Sequence, residues 1–205
     1  MRLLEINRSN YGTNYKLVYG MHRLRSKVFK DRLEWTVCST GEMEMDHFDT
    51  LRPDYLVVAD GNAVLGSVRL LPTTGPNMLA VTFPELLDGA PAPRSETIAE
   101  SSRFCVDTEN TNVKTEGGLR RATFMLFAGM LEWAEQRHQE AIATVTDARM
   151  ERILRRAGWP LERLGTPRTI GPTVAVAGLL PVHSSALQMI REKGNLSQPV
   201  LASLH

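Results

Sequence analysis

The chain has little of what would direct it to a polyanion, a metal or a membrane. Its 24 basic and 23 acidic residues nearly cancel, so no global field attracts nucleic acid or an anionic lipid surface, and a charged partner must meet a local patch. The five histidines are scattered without metal-ligand spacing, and no zinc or iron site is expected. Cys38 and Cys105 are far apart, with no CxxC and no Cys/His cluster nearby; they read as reduced core thiols. No window approaches the length of a membrane span, and Met1-Arg2-Leu3-Leu4-Glu5 lacks the continuous apolar core of a signal peptide, so a soluble cytoplasmic protein is expected. Repeats and low-complexity tracts are missing too. The 205 residues suffice for one domain with a substantial core and are few for two.

What the chain does have is a dense polar segment, Glu100-Ser101-Ser102-Arg103, running into apolar Phe104-Cys105-Val106. An acid, two hydroxyls and a guanidinium in four positions need partners when buried. In an extended strand Glu100, Ser102 and Phe104 would share one face and Ser101, Arg103 and Cys105 the other. A structural Glu–Arg pair at a strand end would account for such a tetrad standing alone.

Elsewhere the periodicities alternate between helix and strand. Residues 1–9 suit a short strand, and Leu17, Met21, Leu24, Val28 and Phe29 predict a helix from Tyr15 to Arg32 with a basic outer face. Arg25 and Phe29, four apart, would be neighbours on it. Leu33 to Arg52 has no clean period and reads as an irregular flap. Within it Asp46 and Asp49 are either caps and turn formers or carboxylates for a cationic ligand, with Trp35 as an aromatic wall. Two β-rich runs flank Asp60-Gly61-Asn62 and predict a hairpin. Arg69 interrupts its second strand and would need Asp46, Asp49 or Glu100 as a partner. Pro72 to Arg94 reads as a connecting loop with a helical turn at 83–87.

The carboxyl half predicts a helix over Leu119–Arg137, a strand over Ala141–Val145, and a helix capped by Asp147 and ended by Gly158. A strand over Thr173–Ala177 and a helix over Ser184–Lys193 follow. Arg149, Arg152 and Arg156 form a stripe on the second of these helices, with Arg155 beside it; the stripe is either a solvated face or a docking surface for an acidic partner. The element order argues for a single domain, 1–205, with one mixed sheet and helices packed on it.

The set Arg25, Phe29, Trp35, Asp46, Asp49, Arg69, Phe83, Glu100, Ser102 and Arg103, with the strings Met21-His22-Arg23-Leu24-Arg25, Glu100-Ser101-Ser102-Arg103-Phe104 and Arg156-Ala157-Gly158-Trp159, resembles the signature of acyl-homoserine lactone synthases, the LuxI-type autoinducer synthases of quorum sensing. The similarity spans about residues 1–180. It implies an α/β domain similar to the GCN5-related N-acetyltransferases, with a splayed central sheet that admits a phosphopantetheine arm. It also implies a reaction joining S-adenosylmethionine, as substrate rather than resident cofactor, to an acyl group on acyl carrier protein. The products would be an N-acyl-L-homoserine lactone and methylthioadenosine.

By that resemblance residues 1–71 form mainly the S-adenosylmethionine side: Arg25, Phe29, Trp35, Asp46, Asp49, Arg69, Arg103 and Phe104 would bind or wall the ligand. Glu100, Ser102 and Arg103 would be catalytic. Acylation needs a neutral amine, and Glu100 would be its base, directly or through water, with burial raising its pKa and Arg103 opposing the rise. Backbone N–H groups around Ser102–Phe104 would stabilise the oxyanion. Residues 100–180 form mainly the acyl and carrier side, with Ser101, Phe127, Met130, Thr144 and Thr146 in the acyl pocket and Arg149, Arg152, Arg155 and Arg156 docking the carrier. Phe127 and Met130 read equally well as ordinary core. Thr144 matches the threonine of family members that make 3-oxo products, and a medium 3-oxo chain is expected.

Two other readings remain open. One is an N-acyltransferase using an acyl-coenzyme A and another amine; Lys114-Thr115-Glu116-Gly117-Gly118 departs from the pyrophosphate loop that such enzymes use. The other is a non-catalytic acyl-carrier-binding module, which would have no use for the acids and arginines of the amino-terminal half.

Overall fold

A computed structural model describes residues 1–33, 37–109 and 119–201. Ten strands and five α-helices alternate along these residues. The amino-terminal half comprises β1 (Arg2–Ile6), α1 (Tyr15–Arg25), the short flap strands β2 (Ser39–Thr40) and β3 (Met43–Glu44), then β4 (Asp54–Asp60), β5 (Ala63–Pro72), α2 (Met78–Val81) and β6 (Ile98–Val106). The carboxyl half adds α3 (Arg121–Gln136), β7 (Ala141–Asp147), α4 (Ala148–Ala157), β8 (Glu162–Arg163), β9 (Arg168–Ile170), β10 (Thr173–Pro181) and α5 (Ser184–Gly194).

The main sheet has the order β1-β4-β5-β6-β7-β10, with β8 and β9 both on β10. Every pairing is antiparallel except β6 with β7. Because both faces are covered, strand alternation sorts apolar residues into two cores rather than into core and solvent. On β4, Leu56 and Val58 join the core under α3, while Tyr55, Val57 and Ala59 pack against α1. The hairpin turns on Gly61 at φ +57°, as the Asp-Gly-Asn signal predicts. Helix α3 is buried along most of its length and lies so close to β1 that a Cβ on Gly129 would come within 2.7 Å of Leu3. Asp147 caps α4, its carboxylate accepting from Met150 N–H at 2.6 Å, and Gly158 ends it at φ +95°. Among the described residues no helix is long and apolar enough to cross a membrane.

Two irregularities shape the middle of the sheet. The β6–β7 ladder runs only from Ile98/Ala141 to Ser101/Thr144, while β6 continues along β5 to Val106 and β7 along β10 to Asp147. The strands therefore part beyond Ser101, with Thr144 Oγ1 donating to the Ser101 carbonyl at 3.1 Å at the last pair. Just past that point β6 bulges. Ser102 pairs with Arg69 and Cys105 with Ser67, leaving Arg103 and Phe104 opposite the single residue Val68. Arg103 sits at φ +55°, an uncommon conformation for a residue with a side chain.

The bulge corrects the expected face assignment. The extra residue shifts the alternation, so Glu100, Ser102 and Arg103 share the face towards α1, α2 and the flap, while Phe104 turns to the α3 side and stacks near Phe127. Two element boundaries also change. The predicted helix 15–32 is α-helical to Arg25 and then widens into a π-helical turn, Ser26–Arg32, closed by Leu33 N–H on the Val28 carbonyl at 3.0 Å. The segment expected as loop contains α2, started by Asn77, whose side chain accepts from Ala80 N–H; the expected turn is present at Pro84–Leu87.

Candidate active site

The flap, α1, β5 and the bulge of β6 converge on a buried set of three guanidiniums and three carboxylates. Arg25 reaches Glu44 through Nε at 2.5 Å and grips Asp49 with Nη1 and Nη2 at 2.7 and 2.9 Å. Arg69 meets Asp46 at 2.5 and 3.1 Å and Asp49 at 2.9 Å, and its Nε donates to Ser102 Oγ at 3.0 Å. Arg103 reaches Glu44 at 3.0 Å and Asp46 at 2.9 Å. Arg25, Arg69 and Glu44 are almost wholly buried. Removing charges from water is costly, and planar two-pronged pairing with an equal number of opposite charges is what offsets it.

The local sequence explains why the acids meet the arginines. Asp46 and Asp49 form a reciprocal cap on the turn His47–Leu51: the Asp46 carboxylate accepts from Phe48 N–H at 2.9 Å, and the Asp49 carboxylate accepts from Asp46 N–H at 2.8 Å. Of the two readings left open for these residues, the structure shows the cap. The cap fixes both carboxylates, and in each the capping oxygen as well as the other one takes a guanidinium N–H. Tyr55 adds a hydroxyl donated to Asp49 at 2.7 Å. Aromatic faces lie under two of the cations, Phe48 under Arg69 at 5.5 Å and Phe29 under Arg103 at 5.4 Å.

Electrostatics follow from this packing. Burial pushes Asp49 up, but the bonds and charge of Arg25, and then Arg69, outweigh it and hold the carboxyl far below the ordinary aspartate range. Burial likewise opposes the charge on Arg25, and Asp49 and Glu44 more than restore it. Burial and the Asp49 charge raise the Tyr55 hydroxyl.

Glu100 lies beside this network but is held differently. Its carboxylate accepts from Met78 N–H at 3.0 Å and Leu79 N–H at 2.6 Å, at the start of α2. Burial raises its pKa; the Leu79 and Met78 amides and the Arg69 charge pull the other way, and burial prevails. The opposing guanidinium is thus Arg69 rather than the expected Arg103. Met78 also places its sulfur 3.1 Å from Arg69 Nη2 and 3.4 Å from Arg103 Nη1.

The sequence-derived site residues divide cleanly. Arg25, Phe29, Asp46, Asp49, Arg69, Glu100, Ser102 and Arg103 come together, whereas Trp35 lies outside the described residues, as does the segment from Lys114 to Gly118. Phe83 is half-buried between the apolar clusters at α2 and the flap. Phe104, expected with the ligand-binding set, instead joins the other side: its ring lies 5.2 Å from Phe127, which is 6.1 Å from Trp159. Phe127 and Met130 are core residues of α3. Thr144 is buried at the parting of β6 and β7, opposite Ser101, and Thr146 is two residues further along the same strand. Arg149, Arg152, Arg155 and Arg156 are all exposed on α4, with Arg155 3.9 Å from Glu151.

Glu44, Tyr55 and Met78 belong to the site but escape the sequence reading. Glu44 had a usable signal: it stands two residues before Asp46, so an extended flap would point both carboxylates the same way. Tyr55 and Met78 look like ordinary apolar positions.

Comparison with known proteins gives the family and the fold. A family profile described as "Autoinducer synthase" matches residues 10–190. A probable acyl-homoserine-lactone synthase of Sinorhizobium fredii is 44% identical over 97% of this chain and 96% of its own length. Among solved structures, the synthase LasI superposes with a TM-score of 0.83 at 32% identity, covering 99% of this chain and 98% of LasI. MesI, described as a CoA-dependent acyl-homoserine lactone synthase, gives 0.85 at 26% identity over 98% and 99%. BjaI, solved with S-adenosylmethionine and isopentyl-CoA, gives 0.88 at 20% identity over 99% and 93%, a likeness of fold. A more distant N-acetyltransferase from Lactobacillus plantarum, at 15% identity over 89% and 100%, shares the fold with a TM-score of 0.57.

Proposed function

The chain belongs to the autoinducer synthase family and is an acyl-homoserine-lactone synthase; on that premise we propose that it transfers a medium 3-oxo-acyl group from acyl carrier protein to the amine of S-adenosylmethionine and then closes the lactone. The observation carrying this reading is the bulge of β6. It sets Glu100, the charge network and the backbone of Arg103 and Phe104 beside the point where β6 and β7 part.

In the proposed reaction the ligand lies on the α1 and flap side. Arg25, Arg69 and Arg103 hold the three acids and orient its carboxylate, Asp46 and Asp49 attract its cationic groups, and Phe29 and Trp35 wall it. Glu100, directly or through one water, takes a proton from the α-ammonium. The freed nitrogen attacks the thioester carbonyl, whose developing negative charge is met by N–H groups of Arg103 and Phe104, with Ser102 alongside. Collapse forms the amide, breaks the carbon–sulfur bond, and returns the carrier thiol with a proton. The ligand carboxylate then attacks its own γ-carbon, breaking that carbon's bond to the sulfonium and releasing neutral methylthioadenosine; holding the two reacting atoms close is most of what this step requires.

The acyl arm enters where the strands part. Phe104, Phe127 and Met130 supply its apolar surroundings. Thr144 selects a 3-oxo chain by giving a β-keto oxygen the proton it now gives to the Ser101 carbonyl. Exposed Arg149, Arg152, Arg155 and Arg156 favour an acidic carrier protein as donor, while the CoA-dependent description of MesI supports coenzyme A thioesters as the second reading.

The test is mass spectrometry of products from the purified protein with S-adenosylmethionine and matched carrier and coenzyme A thioesters of several lengths. The expected result is lactone with equal methylthioadenosine, fastest from a 3-oxo carrier thioester. An acylated amine without methylthioadenosine would contradict the proposed reaction, and faster turnover of coenzyme A thioesters would replace the carrier as donor.

A further inference from the structure

We propose that His22 is a positioning residue that clamps the flap in its ligand-binding shape, acting through the backbone of Glu44. The inference rests on the S-adenosylmethionine reading of this site.

His22 is 2% exposed on the inner face of α1, and its Nδ1 lies 2.9 Å from the Glu44 carbonyl. A carbonyl can only accept, so Nδ1 carries the hydrogen and donates it. The neutral ring then leaves Nε2 as a bare lone pair, and Nε2 is buried with no partner among the described residues. An unsatisfied buried nitrogen is costly, and an apolar side chain would avoid that cost. The compensating gain is the Glu44 contact.

The position of that contact makes it consequential. Glu44 is the residue whose carboxylate joins Arg25 to Arg103, and Arg103 is the bulge residue at positive φ. Among the described residues strand β3, which carries Glu44, pairs only with the two-residue strand β2, so the flap has little ladder of its own to hold it. The His22 bond from the rigid α1 holds the Glu44 backbone, while Arg25 and Arg103 hold its carboxylate. The ring also stands edge-on to Tyr55, centroids 6.3 Å apart at 78°, and Tyr55 in turn holds Asp49. His22 thus steadies two of the three acids without touching the ligand.

The groups facing it favour the neutral ring. Burial and the nearby Arg25 guanidinium lower its pKa; the Glu44 carbonyl and the Asp49 and Glu44 charges oppose this and do not prevail. His22 is accordingly a fixed clamp through the neutral pH range.

Asparagine and glutamine separate this role from mere packing. The Asn amide nitrogen occupies the Nδ1 position, whereas the Gln amide reaches to Nε2. His22→Asn should hold the KM for S-adenosylmethionine within roughly threefold of wild type, while His22→Gln and His22→Leu should raise it roughly tenfold, the scale of one buried hydrogen bond, with kcat little changed. Backbone amide exchange over residues 39–51 should quicken in Gln and Leu but not in Asn, with α3 protection the same in all. Asn as defective as Gln in both measurements would overturn the clamp, as would Gln indistinguishable from wild type. Should Leu fail to fold, the Asn–Gln pair decides alone. If the wild type turns over no S-adenosylmethionine, the functional reading fails, and the exchange pattern still judges the clamp.

Discussion

The two sides of the β6 bulge use charge in opposite ways. On the flap side the guanidiniums of Arg25 and Arg69 are buried and matched acid for base. On α4 the arginines point outward, where solvent screens them and a partner can reach them. Buried pairing fixes geometry at the expense of desolvation, and exposed charge leaves geometry free but steers encounters. In the reaction we propose, the small polar acceptor needs the first and the acidic carrier the second.

The comparison breaks most visibly in stability. Arg69→Ala would leave three buried acids to two guanidiniums and should cost about 3–5 kcal/mol, whereas Arg152→Ala on the exposed stripe should change stability by no more than about 0.5 kcal/mol; urea unfolding of both variants checks this. Equal losses would dissolve the distinction.

Glu100→Gln sharpens it chemically. The amide keeps the size but only one of the two bonds accepted from α2, and it removes the base, so turnover should fall by roughly two to four orders of magnitude with S-adenosylmethionine still bound. Since burial raises the Glu100 pKa, the ionised base becomes available only as pH rises past the ordinary glutamate range, and wild-type turnover should show an acid limb displaced upward. A limb at the ordinary carboxylate value would remove Glu100 as its source.

Acid should dismantle the flap side first. The folded pKa of Asp49 lies below its unfolded value of about 3.9, so its contribution is complete above that value and is lost as pH falls through the range beneath it. Urea midpoints should hold from neutrality to about pH 5 and fall below about pH 4, and Asp49→Asn should lower the neutral midpoint while flattening the slope. An unchanged slope would assign the acid loss to other carboxylates.

The smallest effect belongs to the carboxyl half. Thr144→Val keeps the shape and deletes the hydroxyl at the strand parting, so the preference for 3-oxo over unsubstituted chains, read as a kcat/KM ratio, should drop about fivefold. An unchanged ratio would place chain selection elsewhere.

Most of this contrast was legible in the sequence where the signals are local. The hairpin around Asp60-Gly61-Asn62, the apolar spacing of α3 and the Asp147 and Gly158 boundaries of α4 each depend on a few neighbouring residues. The charged set was legible as composition, because Arg25, Asp46, Asp49, Arg69 and Arg103 could not be buried singly. The bulge was not, since nothing about an arginine announces positive φ, and its effect on Phe104 went with it. Helix α2 was hidden in a Pro- and Gly-rich stretch, although Asn77 before Met78-Leu79-Ala80-Val81 is a cap signal in retrospect. Glu44 and His22 were obscured for another reason: their roles depend on the flap folding back over α1, a tertiary event without a period.

The most direct test of the divided site is a crossed kinetic measurement on Asp46→Asn and the double variant Arg149→Ala/Arg152→Ala, with KM determined for S-adenosylmethionine and for a carrier-linked thioester in each. Asp46→Asn should raise KM for S-adenosylmethionine alone, and the double variant should raise KM for the carrier thioester alone, roughly tenfold and more steeply at low salt. Should Asp46→Asn move the carrier KM, or the double variant move only that of S-adenosylmethionine, the assignment of the two substrates to opposite sides of the bulge would be contradicted.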